Sequence, residues 1–415
     1  RRKNDSNILT TSSLTMLTRM FWPDVFGGVE RRTRHMAEAF TEAGVNVRVV
    51  TGSEKPQSAI ETHEPGYVVD RAKLPEVGWR WRWRDRVLSK AWAGRLHRQQ
   101  CGERVWATDL IAAAGAIKAD LGDRLVFNPP WCVAGMHSVY EAHPQLTTLR
   151  CRRSLRRIER WVYRHARWIV GASANVIEQF RVAYGDRDGM QVVPHGVAPV
   201  PSGAISSVAA RRQLGIGSNE LVIGSVCRVE PMKDIPFLLR AMSMAGEAVD
   251  RLLIVGEGPQ RDDLMGLAKQ SGIADRILWT GRLDDPTAAY RAMDVMVLPS
   301  IYEPFGNVVL EAMAAGTPVI GRRRSADPSQ PVLVANEELI RHGCSGWLVD
   351  PHDPMDLVRR LKRLKNEPSR LRQAGQYAHA IADEMTWQRT IEAYMRLMNI
   401  RTSRSIERQP HALAA

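Results

Sequence analysis

The sequence predicts an α/β protein built from two doubly wound, parallel-sheet domains. Three observations carry this. A chain of 415 residues is too long for a single hydrophobic core. Short apolar runs that read as strands alternate with helical stretches along its length, the pattern of parallel sheets. The alternation also falls into two blocks, separated by "PHGVAPVPSGAISS" (Pro194–Ser207), whose Pro, Gly and Ser read as a linker. We therefore expect a first domain over residues 1–194 and a second over 195–385. The polar tail at 401–415 has no periodicity and is expected to fray.

The elements follow in order. The start, "RRKNDSNILTTSS", is basic but has no long apolar stretch, so no signal peptide is expected. An amphipathic helix over Glu30–Glu42 leads into the strand "NVRVVTG" (Asn46–Gly52). A basic helix over Cys151–His165 leads into "RWIVGAS" (Arg167–Ser173). Four further strands follow, "LVIGSVCR" (Leu221–Arg228), "RLLIVGEG" (Arg251–Gly258), "RILWTG" (Arg276–Gly281) and "VMVLPS" (Val295–Ser300), each separated by a helical stretch. None of these runs approaches the roughly 18 to 20 apolar residues that cross a bilayer.

Composition narrows the partners. Apolar content of 44% and charged content of 25% are ordinary for a globular chain. Fifty-eight Lys and Arg against 45 acids leave a net charge of +13. That excess favours anionic partners: nucleotides, phospholipid surfaces or nucleic acid. The five cysteines include no CxxC pair, which argues against a disulfide framework or a zinc site and for a reducing compartment, hence a cytoplasmic location. Eleven histidines form no HExxH pattern, so no metal is expected.

The most informative stretch is "PSIYEPFGNVVLEAMAAGTPVIG" (Pro299–Gly321). "VMVLPS" is a strand and "NVVLEAMAAG" a helix, so Glu303–Asn307 is the loop at the strand's C-terminal end. Open α/β sheets bind ligands there. Gly306 allows close approach to the backbone. The first helical N–H groups, near Asn307 and Val308, suit a phosphate or a sugar hydroxyl. Glu303 precedes them and Glu311 lies about one turn into the helix. Carboxylates accept hydrogen bonds from vicinal hydroxyls, so two of them around an anion site fit a nucleotide-sugar: sugar, diphosphate, ribose. The plain alternative is a Glu303 that only caps the helix and a solvated Glu311.

"EPFGNVVLEAMAAGTPVI" resembles the donor-site motif of the retaining glycosyltransferases of family 4, which have the GT-B fold. The resemblance implies that Glu303 contacts the donor sugar and Glu311 the ribose. Phe305, Gly306, Asn307 and Val308 would line the sugar and phosphate. "GSVCRVEPMKD" (Gly224–Asp234) is similar to the family's loop carrying an Arg and a Lys that hold the diphosphate, here Arg228 and Lys233. Fixed cations stabilise a leaving diphosphate as it gains charge. The usual Gly after the Lys is Asp234, which adds a negative charge near the clamp. "MFWPDVFGGVERRTRHMAEAFTEAGVNVRVVTG" (Met20–Gly52) resembles the family's opening, so amides at Gly27 and Gly28 would reach the distal phosphate. "VVPHGV" (Val192–Val197) matches the domain-junction motif, with His195 where Asn is common. The resemblance spans about residues 10 to 395. It further implies that the helix around Trp387–Met398 crosses back onto the first domain.

Other signals carry less. "GEGPQRDDL" (Gly256–Leu264) begins like a dinucleotide fingerprint, but Arg261 stands where its third glycine belongs. In the resembled family such a turn lines the nucleotide end of the site, which assigns Gly256, with Gly281 and Arg282 nearby, to ribose and base. His137 is read either as the family's cleft histidine beside the reacting sugar, making it with Glu303 a catalytic candidate, or as an ordinary loop or core residue. "GWRWRWRDR" (Gly78–Arg86) is read as a strand with Trp on one face and Arg on the other, or as an interfacial patch for an anionic membrane.

The expectation is a cytoplasmic retaining glycosyltransferase, working without metal or other cofactor. It would use a nucleotide-sugar donor and a glycan or lipid-linked acceptor, and would attach peripherally to the cytoplasmic face of the inner membrane. Nucleic acid is not expected as a partner, since no binding motif accompanies the basic runs. A sugar-nucleotide epimerase of the same fold and a non-catalytic membrane- or nucleic-acid-binding protein are the alternatives.

Overall fold

The computed structural model describes residues 12–21, 27–53, 59–73, 84–99, 101–143, 153–201, 203–325 and 327–401. The first sheet contains β1 (Ser13–Thr18), β2 (Asn46–Ser53), β3 (Ala59–His63), β4 (Tyr67–Lys73), β5 (Arg104–Ala107), β6 (Leu125–Phe127), β7 (Trp168–Gly171) and β8 (Met190–Val192). Its order is β3-β4-β2-β1-β5-β6-β7-β8, parallel except for the β3–β4 edge hairpin. The second sheet uses β9 (Val222–Val226), β10 (Arg251–Val255), β11 (Ile277–Gly281), β12 (Val295–Leu298), β14 (Val319–Arg322) and β16 (Gly346–Val349). Its order is β11-β10-β9-β12-β14-β16. Two short strands outside it, β13 (Tyr302–Glu303) and β15 (Leu333–Val334), pair with each other. The expected pair of doubly wound domains is thus present.

Central strands of both sheets are buried on both faces. β9 and β12 expose no residue, which is why their sequences are continuous apolar runs. In the second sheet the chain runs outward from β9 through β10 to β11, then returns to β12 and runs the other way. The strand order therefore reverses between β9 and β12, which opens a crevice at their C-terminal ends. The first sheet reverses between β1 and β5 in the same manner. The loops carrying Arg228, Lys233, Glu303 and Gly27 leave the strand ends beside these two crevices.

The last described helix, Trp387–Met398, belongs to the first domain's core. Ile391, Tyr394 and Met398 pack among Leu14, Met16, Phe40 and Trp106. The Tyr394 ring meets Phe40 and Trp106 edge-on, at 6.4 and 6.3 Å. Two polar contacts fix the register: Thr390 Oγ1 donates to the Pro194 carbonyl (2.9 Å) and Arg104 Nε to the Met398 carbonyl (2.6 Å). The chain thus crosses between domains twice, near 194–197 and near 385–387, and Val197 N donates to Met385 O (2.8 Å) where the crossings meet. Gly196 has no room for a side chain there, because a Cβ would overlap the Thr386 and Trp387 backbone.

Most of "GWRWRWRDR" lies outside the described residues. Its last three residues, Arg84 to Arg86, begin the helix Arg84–Arg98, so that end of the motif is helical rather than strand. Among the described residues no helix is long and apolar enough to cross a membrane.

The close packing at Gly196 yields a test. Gly196→Ala forces the two crossings apart and should cost about 1–3 kcal/mol, the usual range for overpacking. Urea unfolding would measure it; an unchanged midpoint would mean that the crossings are not in contact in solution.

Candidate active site

The donor motif is held more firmly than a loop. β13 places Glu303 in a two-residue ladder with β15, and Ala335 N donates to the Glu303 carbonyl (3.0 Å). Gly306 then turns the chain at φ +93°, a left-handed conformation that disfavours side chains, and caps the helix Asn307–Ala314. Glu303 is 9% exposed. Lys233 Nζ lies 2.6 Å from its Oε2, and Ser300 Oγ donates to the same oxygen (3.4 Å). Burial alone would depress the Lys233 ammonium, but the Glu303 carboxylate overrides it and holds the pKa above the usual lysine value. A pair 70 residues apart in sequence is therefore joined across the β9–β12 crevice.

Arg228 leaves β9 beside this pair. Its side chain is 74% exposed, with NH2 2.9 Å from Glu230 Oε1. Asp234, the departure from the resembled motif, does not face the clamp. It sits at φ +42°, and its Oδ2 lies 2.6 Å from NH2 of Arg322, which is buried and stacks at 3.8 Å over the Phe237 ring. Burial pulls the Arg322 pKa down and Asp234 opposes this. The extra negative charge is consumed by a structural pair.

Glu311 is held from both domains. Tyr290 OH donates to its Oε2 (2.9 Å), and Arg31 NH1 of the first domain reaches its Oε1 (3.4 Å). Burial raises the Glu311 pKa while Arg31 and Tyr290 lower it, for a net rise. Arg31 lies on the helix Gly28–Glu42, whose first turn faces the start of helix Asn307–Ala314: a Cβ on Gly28 would be 3.8 Å from Asn307 Nδ2. Two helix N-termini thus meet across the cleft, an arrangement that attracts phosphate, and at the first of them the Glu30 carboxylate accepts from its own N–H. The Glu30 carboxylate folds back over Gly27, where a side chain would displace it. Burial raises its pKa, against lowering by Arg32 and by Arg228 from the opposite domain.

His195, at the junction, links the two helix starts. Its Nε2 is 3.1 Å from Arg32 NH1 and its Nδ1 2.8 Å from Asn307 Oδ1. The Phe305 ring meets the imidazole edge-on at 4.6 Å. The donor loop is also docked on the first domain. Tyr302 OH lies within hydrogen-bonding distance of the Cys132 backbone and of Gln179 Oε1, and Ser173 Oγ donates to the Pro304 carbonyl (2.5 Å). Glu338 accepts from the N–H groups of Ala174 and Asn175.

The remaining expected residues are spread more widely. His137 lies on the helix Val133–Ala142, one position off the stripe of Met136, Val139 and Tyr140 that packs on Tyr302 and Ile301. Its Nδ1 is 3.2 Å from Glu141 Oε1, and among the described residues no hydrogen bond joins it to Glu303 or Lys233. Gly256, at φ +131°, is bare because a Cβ would strike the Cys227 carbonyl; Gly258 is bare because it abuts Val229. Those glycines let the loops after β9 and β10 pack together. Gly281 follows at φ +70°, and Arg282 pairs with Asp284 (3.1 Å). Sequence reading missed Glu30, Arg31, Arg32, Tyr290, Ser300 and Tyr302. Arg31 and Arg32 lie three and four positions after Gly28 in the same helical stretch, so their place on the cleft helix was a usable signal; Tyr290 and Tyr302 had none.

Comparison with known proteins agrees with this geometry. Residues 26–199 match the family model described as Glycosyltransferase Family 4, and residues 207–380 the one described as Glycosyl transferases group 1. The chain is 34% identical over 218 residues to a D-inositol 3-phosphate glycosyltransferase of Segniliparus rotundus, covering 51% of this chain and 46% of that protein. It is 33% identical over 250 residues to the protein of that name from Nocardia farcinica, covering 57% and 53%. The chain thus spans about half the length of these relatives. Among solved structures, sucrose-phosphate synthase from Thermosynechococcus elongatus superposes with a TM-score of 0.76 at 21% identity, covering 94% of this chain and 98% of that one. Anabaena Alr3699/HepE, solved in complex with UDP and glucose, gives 0.70 at 18%, covering 93% and 98%. At these identities the likeness is one of fold.

The Asp234–Arg322 pair gives this site's stability test. Asp234→Gly should destabilise by about 3 kcal/mol, because it strands a buried guanidinium. Adding Arg322→Met should recover most of that loss in urea titrations. Simple addition of two losses would mean that the pair does not form.

Proposed function

The chain belongs to the group 1 glycosyltransferases of family 4, with the GT-B fold, and from that premise we propose that it transfers a sugar from a nucleotide-sugar to an acceptor with retention of anomeric configuration. The observation that carries the reading is the Lys233–Glu303 pair at the β9–β12 crevice, opposite the Gly28 helix start. The donor diphosphate lies between Arg228, Lys233 and the two helix N-termini. Glu303 and Asn307 contact the sugar, and Glu311 takes the ribose hydroxyls once Arg31 gives way. UDP-sugars are the first donors to try, since the HepE structure holds UDP and glucose.

The bond from the sugar's anomeric carbon to the diphosphate breaks, and its electron pair leaves with the diphosphate. The acceptor hydroxyl bonds to that carbon from the same face, and its proton passes to a diphosphate oxygen. Arg228, Lys233 and helix N–H groups stabilise the departing charge, so the reading requires no metal. His137, on the first domain's cleft-side helix, is the candidate to hold the acceptor.

The acceptor is read as a glycan or lipid-linked molecule presented at an anionic membrane surface. The supporting observation is a cavity of about 280 Å³ between helices Arg84–Arg98, Leu110–Lys118 and Arg153–His165, lined by Arg86, Lys118, Arg157, Ser89, Ile158 and Trp161. Arg156, Arg160 and Arg164 add exposed charge along the third helix. Basic residues near an anionic leaflet gain about 1 kcal/mol each.

Three measurements test these assignments. Arg228→Ala and Lys233→Ala should each lower kcat/KM about ten- to a hundredfold. Glu303→Gln should depress turnover with nucleoside diphosphate affinity near normal, whereas Glu311→Ala should weaken that affinity; equal loss in both glutamate variants would remove the division of roles. For the acceptor, the protein should sediment with anionic but not neutral vesicles at low salt and be released at high salt. Indifference to lipid charge would favour a soluble acceptor, such as the phosphorylated polyol in the name of the Segniliparus relative.

A further inference from the structure

The junction histidine is the one cleft residue whose type departs from the resembled motif and whose contacts reach both domains. Arg32 is 3% exposed and lies at 5.7 Å over the Trp106 ring. Its NH1 meets His195 Nε2 at 3.1 Å. A guanidinium has only donors. Nε2 must therefore carry the lone pair, and the ring proton sits on Nδ1. That proton is donated to Asn307 Oδ1, 2.8 Å away. One end of the Asn307 carboxamide is thereby used, and the other, Nδ2, is turned toward Gly28.

We infer that His195 is a positioning residue that fixes which face of the Asn307 carboxamide the cleft presents: oxygen inward, NH2 outward. Arg32 sets the tautomer, the tautomer sets the amide, and the amide extends the row of N–H donors at the start of helix Asn307–Ala314. The cleft then offers donors alone at this point, and it selects ligand atoms that accept, namely phosphate oxygens or hydroxyl lone pairs. The reverse tautomer would turn a carbonyl dipole against a diphosphate. Because Arg32, His195 and Asn307 belong to the first domain, the junction and the second domain, the amide is set only while the two domains are engaged. Burial and the neighbouring Arg32 hold the His195 pKa well below the usual histidine value, so the arrangement persists at mildly acidic pH. The inference rests on the reading of Asn307 as a donor contact, and its test has one arm that does not.

That arm is nitrogen NMR of the full chain labelled at histidine. The expected signature is a His195 ring protonated at Nδ1, bare at Nε2 and unchanged from pH 8 to about 5.5, against an unperturbed histidine midpoint near 6.5. A proton on Nε2, or titration near the ordinary midpoint, would overturn the inference. Arg32→Met should release the tautomer. In kinetics, His195→Ala should raise KM for the nucleotide-sugar about tenfold, and His195→Gln, which can accept and donate at its two ends, should recover most of it. Asn307→Asp keeps a residue suited to a helix start but should weaken nucleotide-sugar binding at least about tenfold. A His195→Ala variant that loses thermal stability with unchanged KM and is not rescued by Gln would assign the histidine to packing alone. Failure of the unaltered protein to bind any nucleotide-sugar would remove the donor reading instead, and the NMR arm would still decide the tautomer.

Discussion

The cleft is organised by one buried ion pair. Lys233 and Glu303 come from loops on either side of the β9–β12 reversal, and their 2.6 Å contact ties those loops together at the strand ends. Buried ion pairs are poor sources of stability, because desolvation offsets most of the Coulomb gain. This one makes better sense as preorganisation. The ammonium is held at the crevice by Glu303, and the carboxylate by Lys233 and Ser300. Under the donor reading, a transition state that gains charge there meets groups already oriented.

Around that pair, the contacts between domains are mostly polar. Tyr302 against Cys132 and Gln179, Ser173 against Pro304, and Glu338 against the start of helix Ala174–Tyr184 are hydrogen bonds. The apolar part is small, with Val139, Met136 and Tyr140 on one side and Met232, Ile301 and Val332 on the other. Polar interfaces of this kind between domains are compatible with relative motion. The helix Trp387–Met398 behaves differently, because it buries Ile391, Tyr394 and Met398 in the first domain's core and so keeps the two crossings adjacent.

Much of the fold was legible in the sequence where strands are buried on both faces, as in "LVIGSVCR" and "VMVLPS". β1, "SLTMLT", was not among the expected strands, although its threonines favour strand structure. In the fold Thr15 and Thr18 are buried and satisfied, Thr15 by the distant Gly102 N–H and Thr18 by the nearby Met20 carbonyl. The donor motif was legible because Glu303, Gly306, Asn307 and Glu311 share one short segment. What answers it from across the cleft was not: Arg31 and Glu311 are 280 residues apart, and nothing local in either predicts the other. Asp234 misled for the same reason, since its meaning depends on Arg322, 88 residues later. The Gly256-x-Gly258 turn resembled a ligand loop, yet its glycines are required by the neighbouring backbone.

The contact between Arg31 and Glu311 bears on how a nucleotide would be held. Under the donor reading, the carboxylate that receives the ribose also pairs with an arginine from the opposite domain. Donor entry is then an exchange of partners. Such a counterweight weakens the grip on substrate and on spent nucleotide alike. Its benefit falls on the second, because Arg31 competes for the carboxylate as the product leaves.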